Sequence, residues 1–126
     1  MIKFDREKVL LLQKLIIESS GGSSGVRDFH LLDSALDSAY QTFNGEELYP
    51  SKEEKGARLG YGLVSNHAFV DGNKRVGLLV MISFLEINGI HLKYLDKELV
   101  EIGLALASGS MKYEQLLEWI FNHKTN

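Results

Sequence analysis

The sequence predicts an all-α fold: a compact single-domain helical bundle with a short flap or hairpin loop. Three observations carry that prediction. Several stretches repeat apolar residues at helical spacing over three or four turns. A single proline in 126 residues leaves those stretches unbroken. Apolar residues make up 44% and charged residues 25%, ordinary globular composition, which at this length supports one core and one domain over 1–126.

The elements follow in order. A first helix is expected from Asp5 to Glu18, with Val9, Leu12, Leu15 and Ile16 on its inner face. Ser19 to Gly25 is a glycine–serine stretch suited to a loop. Asp28 can cap a second helix on which Leu31, Leu32, Ala35, Leu36 and Ala39 recur. Asn44 to Pro50 contains Asn-Gly and Tyr-Pro and reads as an exposed loop or short hairpin. Ser51-Lys52-Glu53-Glu54 fits a capping box opening a helix that runs to about Asn66. Gly56 and Gly60 lie one turn apart on it, so another helix can approach closely. Gly60-Tyr61-Gly62 is no dinucleotide loop, because no strand precedes it. The loop His67 to Gly72 leads into an apolar helix, Asn73 to Ile87, ended by Asn88-Gly89 in a left-handed cap. Ile90 to Tyr94 alternates and is expected to be extended. A helix from Asp96 to Ala107 follows. The last runs from Met111 to His123, with Leu116, Leu117, Trp119 and Ile120 in the core.

Composition excludes several classes of function. The net charge of −3 argues against binding nucleic acid or anionic membranes by bulk charge. With no cysteine there are no disulfides, zinc thiolates or thiol nucleophiles. The apolar run Val76 to Ile87 is twelve residues long, short of the roughly 20 that span a bilayer. The N-terminal apolar run follows acidic residues, unlike a signal peptide. A cytoplasmic protein is the expectation.

Chemistry is concentrated in His67-Ala68-Phe69-Val70-Asp71-Gly72-Asn73-Lys74-Arg75. Gly72 permits close backbone approach, and Asn73 to Arg75 open a helix whose amides and dipole suit an anion. Lys74 and Arg75 make phosphate the natural ligand, Arg as a fork and Lys as a point charge. Beside polyphosphate, Asp71 is a hard-oxygen ligand for Mg²⁺. The imidazole of His67 is placed to take a proton from an incoming hydroxyl. Together these residues point to phosphoryl or nucleotidyl transfer, where positioning and charge neutralisation do most of the work. The plainer reading of Asp71-Gly72-Asn73 is a turn and helix cap, and both readings hold together.

The same nine residues resemble the active-site motif of the Fic/Doc family, whose common Fic form reads His-Pro-Phe-x-Asp/Glu-Gly-Asn-Gly-Arg. Ala68 replaces the proline and Lys74 the second glycine, and the lysine is similar to the Doc branch. Gly25-Val26-Arg27-Asp28, Leu31 to Leu36 and the Gly45–Pro50 loop resemble the upstream helix and target-positioning flap of Doc-like chains, so the likeness covers roughly residues 25–90. The resemblance implies an all-helical toxin that moves the γ-phosphate of ATP, with Mg²⁺, onto a Ser/Thr hydroxyl of a host protein such as elongation factor Tu. It implies His67 as general base, with Asp71 and Lys74 also catalytic, Asp71 holding the metal or orienting the attacking group. Gly72, Asn73, Lys74 and Arg75 would hold phosphate, Phe69 would anchor the loop in the core, and Gly45 and Tyr49 would belong to the target-positioning loop. Gly72 and Asn73 also match the general Fic form, so AMP transfer is the alternative chemistry. A non-catalytic helical interaction module is the alternative without chemistry.

His30, His91 and His123 have no partners at ligand spacing and read as surface or supporting residues. Tyr49, in the exposed loop, is an aromatic of the kind that contacts partners. The chain lacks the Ser/Thr-x-x-x-Glu-Gly/Asn stretch with which many Fic relatives inhibit themselves, Ser83 and Glu86 being only three apart. The resemblance therefore implies an antitoxin acting in trans.

Overall fold

Three helices of this chain begin where a short polar side chain takes an orphan amide. In the computed structural model, which describes residues 1–125, Asp5 accepts from the Lys8 amide (2.9 Å) to open α1 (Arg6–Ser20). Asp28 does the same for the Leu31 amide (3.1 Å) at α2 (Phe29–Ser38). At α3 (Lys52–Asn66) the capping box is complete: Ser51 accepts from the Glu54 amide (3.0 Å) and Glu54 from the Ser51 amide (3.2 Å). Glu98 at α5 (Asp96–Ser108) and Gln115 at α6 (Tyr113–His123) supply half a box each, reaching back to the amides of Leu95 and Lys112. Only α4 (Asn73–Ile87) starts bare, behind Gly72 at φ +82°.

Between α2 and α3, β1 (Thr42–Phe43) and β2 (Glu46–Glu47) pair antiparallel, Thr42 opposite Glu47 and Phe43 opposite Glu46. Asn44 (φ +52°) and Gly45 (φ +79°) form the turn, the positive pair that a two-residue hairpin loop requires. Of the two readings of this segment, exposed loop or short hairpin, the hairpin is the one present, with its first strand beginning two residues before Asn44.

The centre of the molecule is the antiparallel pair α3 and α4. Gly56 faces Leu85, Gly60 faces Met81, and Gly77 of α4 faces Val64. A methyl group on any of the three would come within 2.9 Å of its neighbour, so the glycines set how closely the two axes approach. Around them Leu59, Leu63, Val64, Val80, Met81 and Phe84 are fully buried. α2 and α6 pack on α3, and α1 and α5 on α4. The α4 end is the expected left-handed cap, with Gly89 at φ +90° and the Ile90 amide returning to Leu85 (2.8 Å). Among the described residues no helix is long and apolar enough to cross a membrane.

Four expectations are corrected. α1 buries Val9, Gln13 and Ile17, an i, i+4, i+8 stripe, and leaves Leu15 outside at 51% exposure. That helix continues to Ser20, whose hydroxyl bonds back to Ile16. The last helix starts two residues late, at Tyr113, because Gly109 (φ +82°) and a Met111-to-Ala105 hydrogen bond (3.0 Å) hold a turn there. Trp119 is half-buried at the rim, stacked on His123 at 4.2 Å. The segment after α4 is extended as expected and pairs with the C-terminal tail, Lys93 bonding His123 (2.9 Å) and Thr125 bonding His91 (2.9 Å).

Candidate active site

The link between α3 and α4 is six residues long, and its first, His67, adopts the left-handed conformation (φ +51°, ψ +46°). For a residue with a Cβ this costs about 1–2 kcal/mol, so neighbouring structure must hold it. The Arg27 guanidinium donates to the His67 carbonyl through both Nε (2.9 Å) and Nη2 (2.6 Å). The next carbonyl, Ala68, takes the amides of Arg27 (2.8 Å) and Asp28 (3.1 Å), and the Val70 amide returns to Gly25 (3.2 Å). Phe69 is 1% exposed and pins the loop into the core. The loop is closed from α4 by the Asn73 carboxamide, which accepts from the Phe69 amide (2.9 Å) and donates to the Phe69 carbonyl (3.1 Å).

The Gly21–Gly25 loop braces the other side. Asp71 Oδ2 accepts from the Ser23 amide (2.8 Å), while its second oxygen meets no donor among the described residues. Gln13, 2% exposed, joins both loops: it accepts from the Gly25 amide (3.1 Å) and donates to the Asp71 carbonyl (3.3 Å).

His67, Asp71, Gly72, Asn73, Lys74 and Arg75 all line one pocket of about 240 Å³, walled also by Val70 and Ala107. Lys74 and Arg75 are exposed at its edge and have no carboxylate partner among the described residues; Arg75 instead donates to the Ser20 hydroxyl. The uncapped N-terminus of α4 adds its own positive end. The pocket thus combines one carboxylate, two cations and an imidazole. The cations also border a larger apolar groove of about 550 Å³ between α1, α4 and α5, lined by Ile16, Leu78, Ile82, Leu99 and Leu104.

The Asn73 side chain serves the loop first, since both its polar ends bind Phe69; its backbone amide is the part that faces an anion at the helix start. For Mg²⁺, no group of three or more ligating side chains occurs among the described residues. One open Asp71 oxygen fits a cation shared with phosphates, which is how Mg²⁺ is usually bound.

Gly45 and Tyr49 stand apart from this pocket. Gly45 is at the hairpin tip, and Tyr49 is half-buried rather than exposed, packed edge-on against Tyr113 at 5.3 Å. Its carbonyl accepts from Lys55 Nζ, which also pairs with Glu47 at 2.9 Å. Lys55 precedes His67 by twelve residues, about 18 Å along a helix axis. The exposed aromatic of the hairpin is Phe43, at 69%. His30 and His91 are on the surface. His123 has partners that its spacing did not reveal, Glu98 (2.7 Å) and the Trp119 carbonyl (2.7 Å). The amide of Leu95, then His123, holds the Glu98 carboxyl below the usual carboxylate range.

Sequence reasoning assigned no role to Arg27, Gln13 or Ser23. Gln13 carries a signal, a polar residue on the Val9–Ile17 stripe. Arg27 and Ser23 act through contacts 40 and 48 residues away, which no local pattern encodes.

A family model described as "Fic/DOC family" matches residues 3–85 of this chain. The protein named Toxin Doc from Mycolicibacterium smegmatis is 42% identical over 88 residues, covering 70% of this chain and 65% of the relative. The match therefore spans a little less than two thirds of that relative's length.

Proposed function

The chain belongs to the Fic/DOC family, as a Doc-like member, and from that premise we propose that it is the toxin of a toxin–antitoxin pair. Its chemistry is transfer of the γ-phosphate of ATP to a Ser or Thr hydroxyl of a host protein. The observation that carries this reading is the small pocket that His67 lines together with Lys74 and Arg75, two cations with no carboxylate partner among the described residues, at the bare N-terminus of α4. His67 takes the hydroxyl proton as the oxygen attacks the γ-phosphorus; the bond to the bridging oxygen breaks and ADP leaves. Lys74, Arg75 and the first-turn amides of α4 stabilise the charge on the transferring group. Mg²⁺, held by Asp71 and the phosphates, supplies further charge neutralisation when bound. A translation factor such as elongation factor Tu is the proposed target, and an antitoxin the proposed restraint. The apolar groove beside Lys74 and Arg75 suits the apolar face of such a partner.

Lys74 favours the γ-phosphate over AMP transfer. A bulky cation where the Fic form has glycine crowds the place where the α- and β-phosphates would otherwise sit. The test is Lys74→Gly assayed with ATP labelled at the α- or γ-phosphate. A shift of label toward α supports the crowding argument, and unchanged donor choice refutes it.

A further inference from the structure

We propose that Arg27 is a positioning residue for the reacting imidazole, acting through the His67 carbonyl; this rests on the role of His67 proposed above. A left-handed residue at the end of a helix turns its carbonyl out of the helical ladder, and the backbone at that point has no partner of its own. Here two guanidinium hydrogens converge on that one oxygen at 2.9 and 2.6 Å. The Arg27 amide is itself fixed on Ala68 at 2.8 Å, so the residue grips two successive carbonyls of the catalytic loop with backbone and side chain at once. Val26 pairs with Phe69 beside it. Arg27 is exposed, yet it forms no ion pair with a carboxylate among the described residues, and it is not among the residues that line the pocket. An arginine committed to a backbone oxygen two bonds from the His67 Cα sets where that Cα, and so the ring, is held. The α3 helix alone does not fix it, because the helix ends at Asn66.

The test compares the full chain with Arg27→Ala and Arg27→Lys in two measurements. In amide hydrogen exchange, Arg27→Ala is expected to speed exchange at Phe69 and Val70 while the α3 amides of Leu59 and Leu63 keep their wild-type rates. In steady-state transfer, kcat is expected to fall on the order of 10- to 100-fold, the size associated with about 1 Å of misplacement. KM for ATP should not change, and Arg27→Lys, with one donor group in place of the fork, should recover part of the loss. Unchanged exchange in the loop overturns the proposal, as does faster exchange through the whole chain, which would mark a general structural role. A raised KM for ATP with kcat retained would make Arg27 a phosphate ligand and also overturn it. A wild-type protein that transfers nothing would overturn the function proposed above, and the exchange result would then decide on Arg27 by itself.

Discussion

Gly77→Ala should separate the effect of close helix packing from that of helix propensity. On an open helix surface the change would be favourable by about 1 kcal/mol, since alanine is the better helix former. At Gly77 the added methyl would lie 2.7 Å from Val64 Cγ2, 3.0 Å from the Val64 backbone nitrogen and 3.2 Å from Leu63 Cβ. None of these can yield locally: a β-branched side chain is stiff, and the nitrogen belongs to α3 itself. Overpacking of this kind costs about 1–3 kcal/mol, and with backbone involved the upper end applies. The net is a loss of about 2 kcal/mol, or roughly 8 °C in Tm for a chain of this size. Gly103→Ala is the matched control, because its methyl would meet nothing closer than 3.4 Å; it should be neutral or gain up to about 1 kcal/mol. Thermal unfolding followed by circular dichroism measures both. Because Gly77 lies one turn after Asn73, forcing α4 away from α3 also moves Asn73–Arg75 relative to His67. Transfer should therefore fall even where the variant is fully folded. A Gly77→Ala protein as stable as wild type would refute the argument that this glycine sets the approach of the two helices.

Glu47→Ala leaves the 2%-exposed Lys55 ammonium with the Tyr49 carbonyl and the Tyr40 ring, 5.8 Å away, and should cost about 2 kcal/mol, less than a fully buried broken pair. Lys55→Met, which removes the charge, should cost less; equal losses by urea titration would contradict this order. Gln13→Leu strands the Gly25 amide and the Asp71 carbonyl and should destabilise by about 2 kcal/mol, read in the same titration. Burial, reinforced by Glu54, pushes the Tyr113 hydroxyl up to about 12, against about 10 in an unfolded chain. The unfolded chain thus loses this proton first, so stability falls between about pH 10 and 12. Tyr113→Phe should remove that part of the fall, measured as the change in urea midpoint across the window.

Most of the fold was legible because its signals are local. Asp5, Asp28 and the Ser51–Glu54 box fix helix starts within four residues of themselves, and Asn44-Gly45 fixes a hairpin turn. The face of α1 was misread because Leu15 is apolar and Gln13 polar, and only the partners of Gln13, Gly25 and Asp71, explain why the polar one is inside. The pocket was legible for the same local reason: His67 to Arg75 is one loop and the helix start that follows it, so chain continuity alone brings its residues together. What the sequence hid is the bracing. Arg27 and Ser23 reach the loop across the molecule, and the second role of the Asn73 side chain, clasping Phe69, depends on a loop conformation that no motif states. Tyr49 failed for a related reason, its partner Tyr113 being on the last helix.

The reaction proposed above moves a phosphate to a protein hydroxyl with His67 as base. Its most direct test is label transfer to proteins of a bacterial lysate, with ATP labelled at the γ-phosphate compared with ATP labelled at the α-phosphate. A protein band labelled from γ alone, lost with His67→Ala and identifiable by mass, is the expected result. A band labelled from α would make the chain an AMP transferase. A γ-labelled band that persists with His67→Ala would contradict the role given to the imidazole.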